Sequence, residues 1–159
     1  MGKSKNSVSI EQLRLACRHV EELRAAGVTE NLAIRTLELF ADVYAKLHGG
    51  GSATPHHVSQ VGDSSWSRKA KALREALPEA KPRDYYRVEH GTPRREFARA
   101  VLTLFKQEKL TERTMNALVR KHWRLAVLTL DECRALDRIA RSKMFKSPDE
   151  RWAAAGIEF

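Results

Sequence analysis

Glu89 and His90 are adjacent in the stretch Asp84 to Phe105, DYYRVEHGTPRREFARAVLTLF, and this acid-histidine pair is placed to work on a phosphodiester. An unperturbed histidine titrates near ~6.5 and can take a proton from water at neutral pH, while a carboxylate is a natural ligand for a hard divalent cation. Neighbouring side chains on a regular strand point to opposite faces, so the two can serve one site only where the strand ends, and Gly91 offers that end. Tyr86, Val88 and His90 alternate with Tyr85, Arg87 and Glu89, which reads as a short strand. Thr92 then supplies an N-cap oxygen and Pro93 a preset φ for a first helical position, so a helix should follow, with Arg94, Arg95 and Arg99 in its opening turns. The competing reading of the pair is structural: His90 caps or packs, and Glu89 pairs with Arg87 or Arg94.

The run Glu89-His90-Gly91-Thr92-Pro93 resembles the acid-His-x-x-Pro opening of the HNH nuclease motif. The resemblance implies Glu89 as the ligand of a divalent metal ion, His90 as the general base that activates water, and Asn116 and His122 as later catalytic members. This chain departs from the family's pattern: Asn116 and His122 lie closer together than is usual, a helix pattern rather than a second strand follows Pro93, and the cysteine knuckle of many members is missing. A second resemblance, from Tyr86 to the C-terminus, is to small uncharacterised bacterial and phage proteins that keep Glu-His-x-x-Pro, a Thr-x-x-Glu cap and an Arg-Trp-x-x-x-Gly-Ile tail, here Arg151-Trp152 to Gly156-Ile157. It implies no function. His56-His57 has no cysteine or carboxylate at ligand spacing and reads as a solvated loop. The sequence contains no phosphate loop, dinucleotide fingerprint, nucleophile elbow or zincin helix, which disfavours the common nucleotide-dependent enzymes.

The elements that must position these residues can be read from caps and periodicity. Ser9 with Gln12 resembles a capping box for a first helix, whose apolar positions Ile10, Leu13, Ala16 or Cys17, Val20 and Leu23 run to a stop at Gly27. Thr29 should cap a second helix through Leu32, Leu37, Phe40, Val43, Tyr44 and Leu47, ending at His48-Gly49, and the two should pair as an antiparallel hairpin, each burying its apolar stripe on the other. The run GGGSATPHHVSQ reads as a linker. Asp63 or Ser64 should cap a helix from Trp66 to Leu77, with Trp66, Ala70, Leu73 and Leu77 packing. Beyond Pro93 the buried face is Phe97, Ala100, Val101, Leu104 and Phe105. Thr111 caps a helix carrying Met115, Leu118 and Val119; Arg124 to Leu128 reads as a second strand that should pair with the first; Thr129 with Glu132 boxes a helix from Leu130 to Arg141. Ser147-Pro148-Asp149-Glu150 opens a last helix that stops at Gly156. The expected fold is mainly α with a small two-stranded β element: a helical hairpin over 1–49, a linker over 50–62 and a basic α+β domain over 63–159.

Charge narrows the partners. The chain holds 29 Lys and Arg against 20 Asp and Glu, a net +9 that favours a polyanion through counterion release. Four clusters carry the surplus: Arg68, Lys69, Lys71 and Arg74; Arg83, Arg87, Arg94, Arg95 and Arg99; Arg113, Arg120, Lys121 and Arg124; and Arg134, Arg138, Arg141, Lys143 and Lys146. Aromatic residues lie among them, which suits DNA or RNA, with Arg87, Arg94, Arg95, Arg99, Arg120, Lys121 and Arg124 as the expected phosphate contacts. The alternative is a non-catalytic regulatory protein of phage or mobile-element type that binds a protein partner, or a second copy of itself, through the hairpin. Two cysteines in helical patterns fit a reducing compartment. With no signal-peptide core and no apolar run of membrane-spanning length, a cytoplasmic protein is expected.

Overall fold

Ser9 starts the first helix as its side chain predicts, accepting from the Gln12 amide while Gln12 Oε1 accepts from the Ser9 amide at 2.8 Å. This structure, a computed structural model, describes residues 7–49, 58–79 and 81–159. In chain order the elements are α1 (Ile10–Ala25), α2 (Glu30–Ala33), α3 (Arg35–His48), α4 (Arg68–Ala76), α5 (Pro82–Tyr85), β1 (Tyr86–His90), α6 (Arg94–Lys106), α7 (Glu112–His122), β2 (Leu125–Thr129), α8 (Leu130–Ala140) and α9 (Pro148–Ala154), with 3-10 turns at Val58–Gln60 and Asp63–Ser65. The chain is mainly helical with a two-stranded antiparallel sheet. No helix among the described residues is long and apolar enough to cross a membrane.

Several boundaries differ from the sequence expectation for local reasons. The second helix is broken at Ile34 into α2 and α3, and Thr29 holds the N-cap position without a side-chain bond. Ser67, not Asp63 or Ser64, caps α4, because Asp63–Ser65 closes its own 3-10 turn and leaves Trp66 extended against β2. Leu77 follows that helix exposed rather than packed. The helix after Pro93 opens at Arg94, and β2 runs one residue later than expected. The cap at Thr129 and Glu132 and the N-cap at Ser147 are as read from the sequence. Gly27 and Gly156 take φ +86° and +72°, the left-handed turn that ends α1 and α9, and each is followed by a six-residue bond closing the turn, Val28 to Leu23 and Ile157 to Trp152.

The chain groups into two compact units, and both are discontinuous in sequence. One is Met1–Thr54 with Arg94–Lys121, the other Pro55–Pro93 with His122–Phe159. This differs from the expected division, because α6 packs on α1 and α3 and so joins the hairpin rather than the region after the linker. The expected linker falls mostly outside the described residues, as do His56 and His57. In the first unit Leu13, Val20, Leu37 and Ala41 are buried, as are Phe97, Val101, Met115 and Val119. Arg14 of α1 donates from Nη2 to the Leu110 carbonyl at 2.7 Å and holds the turn before α7.

The second unit is a small sheet covered on both faces. Tyr86 pairs with Thr129 and His90 with Leu125 in the antiparallel register. Side chains alternate across the strands, so Ala126 and Leu128 face a cluster with Leu136, Ala140, Trp152 and Ile157 from α8, α9 and the tail, while Tyr86 and Val127 face Trp66 and Ala70. Glu132 links the two coverings: Ser67 Oγ donates to its Oε2 at 2.6 Å, and the same oxygen accepts from the Thr129 amide at 2.9 Å.

Candidate nucleic-acid interface

β1 places Glu89 and His90 by its pleat, and the pleat separates them. The strand ends at His90, the boundary read from the sequence, and its register gives the two residues alternate faces while His90 stays near enough to lower the Glu89 pKa. Glu89 lies opposite Ala126 and shares that face with α8 and α9; His90 lies on the face of Tyr86 and Val88. The Cys133 thiol donates to the Glu89 carboxylate, and burial pushes the carboxyl above the usual glutamate range against the pull of His90 and Arg151. Burial and that carboxylate push the Cys133 thiol up to about 12. Arg151 is buried beside them, donating from Nη1 to the His90 carbonyl at 2.9 Å and from Nε to the Ala140 carbonyl at 3.2 Å.

These surroundings explain the Glu-His and Arg-Trp signatures as one structural knot. Gly91 donates its amide to the Arg124 carbonyl at 2.7 Å, and a Cβ there would stand 2.4 Å from Pro148 Cβ. Trp152, beneath it, is buried and takes the Arg124 guanidinium on its ring at 5.1 Å. The Glu89 carboxylate is engaged by a thiol and faces a guanidinium, a second carboxylate, Asp137, lies near enough to push its pKa further up, and the histidine belongs to the other strand face. Asn116 belongs to the first unit, where the Tyr44 hydroxyl donates to its Oδ1 at 3.0 Å, whereas His122, buried at the end of α7, falls in the second unit with Glu89 and His90.

The arginines expected to meet phosphates divide into engaged and open groups. Arg95 donates to Glu38 at 2.6 Å and Arg99 to Glu30 at 2.6 Å, while Arg94 stands 3.8 Å from Asp42, so the opening turns of α6 are tied to α2 and α3. Arg87 engages the carbonyls of Arg83 and Tyr86 through its Nη1. Arg124 pairs with Asp149 at 2.6 Å. Arg120 and Lys121 are exposed on α7 with no ion pair among the described residues.

The fourth cluster stays open. Arg134, Arg138 and Arg141 follow one another by four and three residues, a single stripe of α8 running into Lys143 and Lys146, and all five are exposed. Only Arg134 has an acidic partner among the described residues, Asp131 at 2.9 Å, and that pair is itself solvent-exposed and weak. Periodicity could have singled out this stripe from the sequence; what it could not show is that acids elsewhere in the chain engage Arg95, Arg99 and Arg124. Comparison with family models, with curated proteins and with solved structures finds no match for this chain.

Proposed function

We propose that this protein binds nucleic acid through the α8 stripe, as a binding module rather than a cleaving enzyme. The observation that carries the reading is the run Arg134, Arg138, Arg141, Lys143 and Lys146, exposed together and almost free of acidic partners. Guanidinium groups spaced along one helix face can each meet a backbone phosphate, and displacement of condensed counterions then drives binding. The net +9 of the whole chain adds long-range attraction. Binding rather than cleavage is favoured because Glu89 and His90 lie on opposite faces of β1.

The reading is tested by titrating the protein with labelled duplex DNA and single-stranded RNA at several salt concentrations. Four phosphate contacts give a log-log slope near −3.6 on a duplex, a drop in affinity on the order of 10²-fold between ~50 and ~200 mM salt. Replacing Arg138, Arg141 and Lys143 with Ser should make the slope shallower by about 0.9 for each phosphate that no longer meets a cation. Arg95→Gln, which removes an already engaged guanidinium, should leave the slope unchanged. An unaltered slope in the α8 variant, or no binding at the lowest salt, would count against the proposal. The same mixtures with Mg²⁺ or Mn²⁺ report cleavage, the activity that the nuclease resemblance implies.

A further inference from the structure

The hairpin unit leaves an apolar groove open between two of its helices. Leu15, Ala16 and His19 of α1 and Thr36 and Phe40 of α3 line a cavity of about 370 Å³. Leu15 is 58% exposed at its edge, and Leu32 and Leu39 are 65% and 53% exposed. Thr36 and Leu39 lie one turn apart on α3, so Leu39 shares a stripe with a groove residue, while Leu32, which the sequence placed on the packed face, is exposed on α2. Exposed leucines gathered in this way mark an interaction surface rather than scattered surface apolarity.

The charge around the groove selects the occupant. Arg18 and Glu22 border it, one helical turn apart on α1, opposite in sign, exposed and without an ion pair among the described residues. A polyanion would meet Glu22 and the neighbouring Glu21 here, and a strongly basic partner would meet Arg18. A row with one cation and one anion is complementary to its own copy turned through a two-fold axis, because each cation then lies opposite the other copy's anion. We propose that this face is the interface of a two-fold homodimer, with α1 antiparallel to α1 of the second copy, Arg18 of each chain opposite Glu22 of the other, and Leu15 and Leu39 buried in the contact. The dimer does not depend on the nucleic-acid reading.

Sedimentation equilibrium of the full chain tests it. The wild type should move from 18.1 kDa towards twice that mass as concentration rises. Arg18→Glu and Glu22→Arg each set like charges opposite one another and should weaken dimerisation by about tenfold or more. An equal mixture of the two variants should recover the dimer, since every cross-contact then joins unlike charges. Leu15→Ser, at an exposed position where the fold is not at stake, should also weaken it, with circular dichroism confirming that each variant is folded. A wild type that stays monomeric at all concentrations, a dimer indifferent to Arg18→Glu, or a mixture that fails to reassociate would each overturn the proposal.

Discussion

Glu89 is where chemistry and stability pull apart. Burial raises its pKa more than His90, Arg151 and the Cys133 hydrogen bond lower it, so the folded chain holds this proton more tightly than the unfolded chain does. The stabilisation from that proton is complete below the unfolded value of ~4.3 and disappears as pH rises through the raised folded value. Ionised Glu89 therefore costs stability at neutral pH. Glu89→Gln, whose amide oxygen can still accept from the thiol, should raise the melting temperature at neutral pH, and the gain should vanish in acid. Thermal melts across the pH range check this, and an unchanged or lower value at neutral pH would mean that attraction to Arg151 outweighs the burial of the charge.

At the scale of elements, the end of β1 and the start of α9 are packed closely together. Gly91 has no side chain because Pro148 occupies its place: an added Cβ would lie 2.4 Å from Pro148 Cβ, 2.7 Å from its Cγ and 3.1 Å from Trp152 Cζ2. Pro148 cannot swing away, since its ring belongs to the first position of α9 and Ser147 caps that helix through the Glu150 amide. Gly91→Ala should destabilise the protein by about 1 to 3 kcal/mol through overpacking, measurable by urea denaturation. A variant of wild-type stability would show that α9 can shift without cost. Arg151 strengthens the same joint by donating to carbonyls at the ends of β1 and α8, a geometry that lysine cannot reproduce.

At the scale of the whole molecule, each unit is assembled from two separated stretches of chain, which couples the hairpin to a region far away in sequence. A fragment of residues 1–54 would keep α1 to α3 and lack α6 and α7, which supply the buried Phe97, Val101, Met115 and Val119 of the same unit. Two paired helices of this size bury too little apolar surface to offset chain entropy. The fragment should show weak helicity and a broad, non-cooperative urea transition by circular dichroism. A sharp transition would instead mark the hairpin as independent, as its sequence alone suggests.

Local signals determined much of this fold because their physics is local. The Ser9-Gln12 and Thr129-Glu132 boxes and the glycines at 27 and 156 act within one helical turn, and the alternation around Val88 needs only the strand period, so all were legible without tertiary information. The sequence equally determined that the chain is basic. It could not determine which cations remain open to a partner, because Arg95 and Arg99 meet Glu38 and Glu30 across more than fifty residues of chain. Nor could it show that Glu89 is buried beside Cys133 and Arg151, residues more than forty positions away, although the end of β1 at His90 was read from Gly91. Engagement of charges and the burial of a carboxylate are set by contacts distant in sequence, and those only the tertiary structure decides.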